Sequence, residues 1–352
     1  MFKPFTHLKV VELASVLAGP SAGLFFAELG AKVLKIENKR AGGDVTRSWK
    51  LPSEDKNKKE SAYFYSVNAG KKHLFLDLSD PKDHARCIKE ISDADIVITN
   101  YKKGDDVKLK LSYKDLQKTN PGLIYASING FGEDSSRTAY DLILQAESGF
   151  MAMNGEENSD PLKMPVALID VLAAHQLKEA VLIALLKKQQ TGKGSKISVS
   201  LFDSAVASLV NQATNWLVAG HLPKASGSLH PNIAPYGEIF KTKDKHLITF
   251  AIGSDKQFDH LLSILKLENT IDKKLFSNNQ LRIKNRKKLY NILQTELAKH
   301  TFGKLFKLCM QHDVPIGKIR NMKEVFELEE GKKMLVKSNG VNTVKSVAFK
   351  IH

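Results

Sequence analysis

The chain has 352 residues, of which 42% are hydrophobic and 26% are charged. This composition excludes a collagen-like, coiled-coil or largely disordered chain, and the length corresponds to about two domains. The formal net charge is +15, but only seven of the 53 basic residues are arginines. A lysine-rich excess favours a solvated surface over nucleic-acid reading, because arginine supplies the bidentate contacts to bases and phosphates.

The two cysteines and the longest apolar run indicate the cellular compartment in which the protein is expected. Cys87 and Cys309 are far apart and belong to no CxxC motif or Cys/His cluster. A disulfide scaffold and a thiolate zinc site are unsupported, and no HExxH or EF-hand spacing indicates another metal. The longest apolar run, Ala180–Leu186, is far shorter than the ~20 residues of a membrane-spanning helix. We therefore expect a cytoplasmic protein without a metal or a membrane partner.

The first 130 residues alternate short apolar strands with helices. A strand at 7–13, a helix at 21–29 and a strand at 32–37 form a βαβ unit, with Pro20 near the first helical position and Gly30 after the last. This alternation predicts an open, doubly wound, mainly parallel sheet with functional sites at the carboxyl ends of its strands. The further predicted elements are strands at 73–78, 95–100 and 123–129 and helices at 82–92 and 112–118.

The composition changes in the second half. After a long helix at 171–190, a strand at 196–200 and a helix at 203–219, residues 220–235 are rich in Gly, Pro, Ser and His. A smaller domain is predicted over 230–325, and the last residues end in a strand-like segment at 344–351. The predicted elements of the smaller domain are a strand at 246–252 and helices at 255–266, 280–299 and 302–312.

The first βαβ unit invites a dinucleotide-binding interpretation. Glu37 ends the second strand, where a ribose contact would lie. The turn at 18–23 reads AGPSAG, however, and has neither the number nor the spacing of glycines in GxGxxG. We therefore expect no bound NAD.

Asp170 stands out as a chemical candidate. It ends an apolar, strand-like run and precedes the long helix, where unpaired N–H groups and the helix dipole should keep its carboxylate ionised. The residues alone leave two interpretations open, an ordinary N-cap or a carboxylate nucleophile at the edge of the sheet. His175 lies five residues further on and faces another side of the helix, and no GxSxG elbow supports a serine hydrolase.

Taken together, nine segments resemble the class III coenzyme A transferases, a superfamily that also contains α-methylacyl-CoA racemase. Their joint order and spacing carry the resemblance, which covers about residues 1–325. The segments are KVVELASVLAGPSAGLFFAELGAKVLKIE (9–37), GGDVTRSW (42–49), NAGKKHLFLDL (68–78), ADIVITNY (94–101), NPGLIYASINGFG (120–132), YDLILQAESGFM (140–151), VALIDVLAA (166–174), TGKGSKISVSLFDSA (191–205) and HPNIAPYGEIF (230–240).

The resemblance implies a role for Asp170, because the matching aspartate of this family is the nucleophile. It would attack an acyl-CoA thioester, form an aspartyl anhydride and then an aspartyl-CoA thioester, and pass CoA to an acceptor acid. Succinyl-CoA is the expected donor and a small carboxylic or dicarboxylic acid the expected acceptor. Water must be excluded, and backbone N–H groups must stabilise the oxyanion.

The resemblance also implies contacts to CoA. The turn after the first strand would face the pantetheine. The ends of the following strands would face the adenosine, and several basic residues would face the phosphates. A glutamine of one family transferase is replaced here by Leu17, which cannot hydrogen-bond the reacting groups. The residues carried over are Val16, Leu17, Ala18, Lys39, Arg40, Leu76, Asp77, Asn100, Tyr101, Lys108, Arg137, Tyr140 and Asp141.

Two alternatives stay open beside the transferase. The related racemases carry histidine where this chain has Tyr140, and tyrosine is a poor base near pH 7. A catalytically decayed CoA-binding protein is the other, since the chain lacks the family's C-terminal PPLGEHT-like segment. The resemblance implies an interlocked homodimer, a CoA-binding domain at 1–220 to which 326–352 returns, a linker at 221–229 and the small domain at 230–325.

Overall fold

A computed structural model describes residues 2–338 and 340–351, and it divides the chain into two compact units. Unit 1 contains the residues up to Ala152, Leu162–Pro223 and the residues from Lys332 onward. Unit 2 contains Met153–Pro161 and Lys224–Gly331. Residues 153–161, assigned from the sequence to the larger domain, therefore group with the second unit. The boundaries at 220, 230 and 325 stay predictions about independently folding domains.

Eleven strands are present among the described residues. In chain order they are β1 (Lys9–Glu12), β2 (Lys32–Asn38), β3 (Lys72–Leu76), β4 (Ile96–Thr99), β5 (Ile124–Asn129), β6 (Ser195–Ser200), β7 (Tyr236–Lys241), β8 (Leu247–Ala251), β9 (Ile316–Lys318), β10 (Leu335–Ser338) and β11 (Val341–Val344).

The helices of the described residues include one 3-10 turn at Val45–Ser48. The α-helices are α1 (Ala18–Glu28), α2 (Ala62–Asn68), α3 (Pro81–Ser92), α4 (Asp105–Lys108), α5 (Tyr113–Leu116), α6 (Asp141–Glu147), α7 (Phe150–Met153), α8 (Leu168–Thr191), α9 (Leu201–Ala207), α10 (Val210–Ala219), α11 (Asp255–Ile264), α12 (Lys273–Phe276), α13 (Asn279–Lys284), α14 (Arg286–Leu297), α15 (Phe302–Gln311), α16 (Met322–Glu327) and α17 (Glu329–Lys333). No helix of the described chain is both long and apolar enough to cross a bilayer.

The main sheet of unit 1 has six strands, all parallel, in the order β3-β2-β1-β4-β5-β6. This arrangement confirms the predicted doubly wound α/β fold. The strand order reverses between β1 and β4, and ligands of such sheets bind at the carboxyl ends beside that reversal. Unit 1 also holds the antiparallel pair β10–β11. Unit 2 has a three-stranded antiparallel sheet, β7-β8-β9, with helices, and is thus the expected smaller α+β unit.

Alternation along the central strands explains why helices cover both faces of the main sheet. Val10, Ile96 and Ile98 belong to a core that includes residues of α1 and α8. Val11 and Val97 belong to a second core that includes residues of α3 and α5. Successive side chains of a strand point to opposite faces, so runs of apolar residues such as IVIT of β4 are buried on both sides.

Several predicted element boundaries were wrong, and three of them have a clear local reason. Helix α1 begins at Ala18 rather than 21, because Pro20 is accommodated in the first turn, where no backbone N–H is needed. The predicted helix at 203–219 is broken between α9 and α10, where Val210 has a φ of 38°. The C-terminal segment 345–351 contains no strand. Its Ser346 and Val347 N–H groups instead donate to the Glu28 carboxylate at 2.8–2.9 Å.

Candidate active site

A cavity of about 240 Å³ opens at the carboxyl ends of β1, β4 and β5, entirely within unit 1. Parallel strands bring their carboxyl ends to one edge of the sheet, so segments distant in the chain meet there. Nine of the residues predicted for the site line this cavity: Val16, Leu17, Ala18, Asn100, Tyr101, Arg137, Tyr140, Asp141 and Asp170.

Asp170 lies in the first turn of α8 and is 9% exposed. Helix α8 begins at Leu168 after irregular backbone, so Ala167 is the N-cap, and both the preceding strand and the capping role predicted for Asp170 were wrong. Within the described residues the Asp170 carboxylate has no hydrogen bond and no ion pair. Burial, together with the nearby Asp141 carboxylate, raises the pKa of Asp170 to about 7. The expected stabilisation of the ionised form by the helix end is therefore outweighed.

Asp141 occupies the helix N-terminus that Asp170 was expected to use. Its Oδ1 accepts a hydrogen bond from the Ile169 N–H at 2.8 Å, and its Oδ2 accepts one from Gln145 Nε2 at 2.6 Å. Gln145 is fully buried and also accepts the N–H of Met164 at 2.7 Å. Asp141 and Gln145 thus connect α6 to the start of α8 and fix the backbone that carries Asp170. Sequence analysis missed Gln145, and its only signal was a polar residue in an apolar stretch.

The turn after β1 is held by side chains on both sides. Asn100 brackets the backbone of Ser15: its Oδ1 accepts the Ser15 N–H at 3.0 Å and its Nδ2 donates to the Ser15 carbonyl at 2.9 Å. The Val16 N–H donates to the Asp44 carboxylate at 3.2 Å, and Val16 has a φ of 71°, which is rare for a β-branched residue. Asn100 was predicted to contact CoA, but its amide is engaged with the turn.

Three backbone N–H groups follow that turn at the start of α1. Leu17 is the N-cap without a side-chain cap, and the first helical hydrogen bond runs from Ser21 N to Leu17 O. Pro20 has no N–H, so the orphan donors of this helix end are those of Leu17, Ala18 and Gly19. They have no hydrogen-bond acceptor in the described parts of the chain, and Leu17 and Ala18 line the cavity with Asp170. Such a cluster of donors suits an anion or a developing oxyanion.

The remaining predicted residues of the cavity are partly engaged with protein groups. The Arg137 guanidinium lies 3.8 Å from the Phe131 ring centroid and pairs with Glu147 at 2.5 Å. Tyr101 packs against the core below the sheet, and burial raises the pKa of its phenol. Tyr140 is 60% exposed and directly precedes α6. Gly130, at the end of β5, allows Ala139 to pass close by, since a Cβ there would collide with the Ala139 side chain.

Five predicted CoA contacts lie outside this cavity. The Arg40 guanidinium pairs with Asp77 at 2.6 Å, and Lys108 pairs with Asp105 at 3.1 Å. Lys39 is exposed, and its N–H donates to the Leu76 carbonyl. Leu76 is 1% exposed and belongs to the core beneath the sheet. The CoA-binding roles of all five residues stay predictions.

A second cavity, of about 450 Å³, adjoins the first at the carboxyl ends of β1, β2 and β4. Ser15, Asn100, Tyr101 and Lys102 line both cavities. Lys102 is exposed, and nothing in the described parts of the chain pairs with its ammonium. Sequence analysis missed this lysine because lysines are abundant, and nothing in the local pattern distinguishes it.

Glu37 and Tyr63 complete the surroundings. Glu37 accepts Nε and NH2 of Arg47 at 2.7 Å each and the Asp44 N–H at 2.8 Å. Burial opposes its ionisation, but Arg47 and His73 outweigh burial and hold the pKa of Glu37 far below its usual range. Burial, together with the carboxylates of Asp170, Asp141 and Asp44, raises the pKa of the Tyr63 phenol to about 12. Tyr63 was not among the predicted site residues.

No group of three or more His, Cys, Asp or Glu side chains suited to a metal ion occurs in 2–338 and 340–351. The site that the fold assembles is a buried, unpaired carboxylate beside a helix end with free donors. That combination suits attack of a carboxylate on a carbonyl group, because the donors can stabilise the negative charge that develops on the carbonyl oxygen.

The sequence matches the model of CoA-transferase family III over residues 6–346, so the chain belongs to this family and is a CoA-transferase. It is 37% identical over 329 residues to succinate–glutarate CoA-transferase of Agrobacterium fabrum, covering 92% of this chain and 82% of that relative. It is 38% identical over 328 residues to succinyl-CoA:glutarate CoA-transferase of Homo sapiens, covering 92% of this chain and 73% of that one. The crystal structure of a CAIB/BAIF family protein from Brucella suis has a TM-score of 0.91 and 34% identity, covering 100% of this chain and 93% of that chain. The resemblance inferred from the nine segments is thereby confirmed.

Proposed function

We propose that this CoA-transferase moves CoA from succinyl-CoA to a small dicarboxylic acid, with glutarate as the first acceptor to test. The relatives named above act, by their names, on succinyl-CoA or succinate and on glutarate. The observation that carries the mechanism is the Asp170 carboxylate, buried and without a partner in the described chain, in one cavity with the free donors of Leu17 and Ala18.

In the first half-reaction, the ionised Asp170 carboxylate attacks the thioester carbonyl of succinyl-CoA. The tetrahedral intermediate expels the CoA thiolate and leaves a mixed aspartyl–succinyl anhydride. The thiolate then attacks the aspartyl carbonyl, succinate leaves, and an aspartyl-CoA thioester remains on the enzyme. Each step exchanges one acyl bond for another, so the sequence needs no external energy source.

The second half-reaction reverses these steps with the acceptor. A carboxylate of the acceptor acid attacks the aspartyl-CoA carbonyl and expels the thiolate, which forms a new anhydride. The thiolate attacks the acceptor's carbonyl carbon, giving the new acyl-CoA and free Asp170. Because both anhydrides react rapidly with water, the site must exclude bulk solvent during transfer, and the burial of Asp170 serves that purpose.

The backbone donors of Leu17, Ala18 and Gly19 supply the stabilisation that a weak carboxylate nucleophile requires. Leu17 itself has an apolar side chain, so only its N–H contributes to hydrogen bonding. Preorganised N–H donors lower the barrier because they are stronger partners for the oxyanion than for the ground-state carbonyl oxygen.

We assign CoA binding to the two adjoining cavities. Lys102 borders both and offers an unpaired ammonium to the phosphates, and Arg137 adds a second basic group at the first cavity. The predicted contacts of Lys39, Arg40, Asp77 and Lys108 would extend this surface. NAD is not part of the proposal, since GxGxxG is absent and Glu37, at the position where a ribose contact would lie, is occupied by Arg47 and His73.

The proposal does not include racemase activity or a decayed site. Removal of an α-proton would need a second base beside Asp170, and the position that carries histidine in racemases is Tyr140 here. The donors, the carboxylate and the supporting Asp141 are all present, which supports an active enzyme. Buried unpaired cysteines, Cys87 and Cys309, support the expected cytoplasmic compartment.

A homodimer is also part of the proposal. Helix α10 of unit 1 exposes large apolar side chains, with Leu217 77% and Val218 84% exposed, beside Trp216 at 53%. Large apolar side chains exposed close together are typical of protein interfaces. Light scattering of the wild type and of Leu217→Asp checks this assembly: the wild type should have twice the mass of one chain, and the variant a reduced dimer fraction.

Intact-protein mass spectrometry tests the chemistry. The wild type, mixed with succinyl-CoA, should gain a covalent adduct that hydroxylamine removes, and glutarate should discharge it as glutaryl-CoA. Asp170→Ala should show no adduct, whereas Asp203→Asn, an exposed aspartate in the first turn of α9, should label normally. A folded wild type that binds CoA but forms no adduct with any short acyl-CoA would contradict the proposal.

A further inference from the structure

A chain of buried charges lies beneath the turn that precedes the free donors. Lys35 and Lys71 both pair with Glu12, at 3.0 and 2.7 Å, and Lys35 also pairs with Asp44 at 3.0 Å. Each of the four side chains is at most 1% exposed. Two ammonium and two carboxylate groups balance each other, which is how proteins tolerate charges in the interior.

Every donor of the two lysines is used. Lys35 Nζ donates to Glu12, to Asp44 and, at 2.6 Å, to the Ala14 carbonyl. Lys71 Nζ donates to Glu12, to Asn68 at 3.3 Å and to the Pro20 carbonyl at 2.8 Å. An ammonium group has three N–H bonds, so each N–H donor of both lysines has an acceptor. Each lysine thereby binds one end of the 14–20 turn.

Lys35, Lys71 and Glu12 stay charged near neutral pH. Burial opposes ionisation of Lys35, but Glu12 and Asp44 outweigh it and raise the Lys35 pKa. Burial and the neighbouring Lys35 lower the pKa of Lys71 to about 8, which still leaves it protonated at pH 7. Burial also opposes ionisation of Glu12, yet the two lysines hold the pKa of Glu12 below its usual range.

Side chains bind several backbone groups of this turn. The carbonyls of Ala14 and Pro20 accept hydrogen bonds from Lys35 and Lys71. Asn100 binds both polar groups of Ser15, and Asp44 accepts the Val16 N–H. Among the N–H groups of residues 15–19, those of Leu17, Ala18 and Gly19 have no partner in the described chain. A left-handed Val16 costs free energy, so the surrounding bonds must hold it.

We propose that Asp44 and Asn100 are positioning residues for acyl transfer. Anchored by the buried chain Lys71–Glu12–Lys35, Asp44 fixes the left-handed Val16, Asn100 fixes Ser15, and together they aim the three free N–H groups at the reacting carbonyl oxygen. This inference rests on the proposed function and adds the residues that preorganise its oxyanion site. Neither side chain touches the reacting atoms in this assignment.

The test uses the full-length enzyme and two matched pairs of variants. Asp44→Asn is compared with Asp95→Asn, because Asp95 likewise pairs with a lysine (Lys188, 2.9 Å) and accepts a backbone N–H (Lys9), but at the opposite edge of the sheet. Asn100→Asp is compared with Asn120→Asp, because Asn120 likewise donates to backbone carbonyls, those of Ile91 and Ala94. If Asp44→Asn fails to fold, Asn100→Asp tests the same turn from its other side.

Two readouts separate positioning from simple loss of stability. Asp44→Asn and Asn100→Asp should lower kcat by about 100-fold, the order seen when one oxyanion donor is lost, with KM for succinyl-CoA within about threefold of the wild type. Both should also speed deuterium uptake in peptides that cover residues 14–20. The two control variants should leave kcat and uptake in these peptides as in the wild type.

Deuterium uptake needs no turnover, so it tests the turn even if the wild type transfers no CoA. In that case the proposed function fails, whereas faster uptake in both variants would still support the positioning of the turn. Wild-type uptake at 14–20 in Asp44→Asn and Asn100→Asp would overturn the inference. So would an equal loss of kcat in the control variants.

Discussion

Asp141 holds the backbone one residue before Asp170 and at the same time raises the pKa of the Asp170 carboxylate. Its Oδ1 accepts the Ile169 N–H at 2.8 Å, while its charge adds to burial in bringing the Asp170 pKa to about 7. A carboxyl group that retains its proton is a poor nucleophile until it ionises. The same environment makes it a stronger nucleophile once it does, because basicity and nucleophilicity rise together.

The first prediction concerns the pH dependence of acylation. The single-turnover rate of adduct formation with succinyl-CoA should rise with pH through about 7 and then level off, because only the ionised Asp170 attacks. Asp141→Asn should move this rise to lower pH, since the neighbouring negative charge is removed while burial remains. Rapid-quench mass spectrometry from pH 5 to 9 measures both profiles.

The control for this profile is Asp203→Asn, which removes a carboxylate from the first turn of α9. It should leave the midpoint unchanged. A midpoint for Asp141→Asn equal to that of the wild type would show that Asp141 does not affect Asp170 electrostatically.

The second prediction concerns stability. The folded protein holds a proton on Asp170 up to about pH 7, whereas an unfolded chain releases it near 3.9. Between these values the folded state binds more protons, so this group lowers the free energy of unfolding as pH rises, and the full cost is present above pH 7. Asp170→Asn should therefore be more stable than the wild type by about 2–4 kcal/mol at pH 8.

Urea unfolding at pH 8 and at pH 5 measures this difference. The gain in Asp170→Asn should shrink as the pH falls towards 4, where the wild-type carboxyl is protonated in both states. An equal gain in the free energy of unfolding at both pH values would indicate that Asp170→Asn acts through packing and not through removal of the Asp170 charge.

The third prediction concerns Gln145, which links Asp141 to the segment before α8. Gln145→Leu removes the bonds to Met164 N and Asp141 Oδ2 and leaves these groups without that partner. Loss of a buried hydrogen-bonding partner costs about 1–3 kcal/mol of stability per group left unpaired. We also expect a lower kcat, because the backbone that carries Asp170 loses its support.

Gln176→Leu is the matched control for Gln145→Leu, since Gln176 is an exposed glutamine of α8 that bonds only to Glu179 among the described residues. Thermal unfolding and steady-state kinetics of the two variants should differ. If Gln145→Leu unfolds and turns over like Gln176→Leu, the connection between α6 and α8 does not position Asp170.

The fourth prediction concerns the basic group shared by the two cavities. Lys102→Met should raise KM for succinyl-CoA by about tenfold, the effect of losing one charge-assisted hydrogen bond, with kcat within about twofold. The reason is that a phosphate contact binds ground state and transition state equally. Added salt should reduce the difference in KM for succinyl-CoA between the wild type and Lys102→Met.

Lys114→Met provides the comparison, because Lys114 is an exposed lysine of α5 outside both cavities. It removes the same charge from the protein and should leave KM unchanged. An equal rise of KM in both variants would indicate a general effect of net charge, and Lys102 would lose its assignment.

The main features of the fold were readable from local patterns. Alternating apolar strands and helices predicted the doubly wound sheet, because strand and helix periodicities follow from backbone geometry and neighbouring residues. The carboxyl ends of parallel strands meet at one edge, which predicted a site after β1. That Asp170 belongs to the same site was implied by the family resemblance, and both Asp170 and the turn at 16–18 line the first cavity. The break between α9 and α10 escaped prediction, since nothing in the local pattern marks Val210 as a left-handed residue.

What the linear pattern did not contain is how distant side chains pair. Asn100 binds Ser15 across 85 residues, and Lys71 binds Glu12 across 59. The pKa of Asp170 depends on burial and on Asp141, which arrives from another helix. The start of a helix by itself lowers the pKa of a carboxyl group. In the folded protein the pKa of Asp170 is raised instead, because desolvation and a like charge act through space and not along the chain.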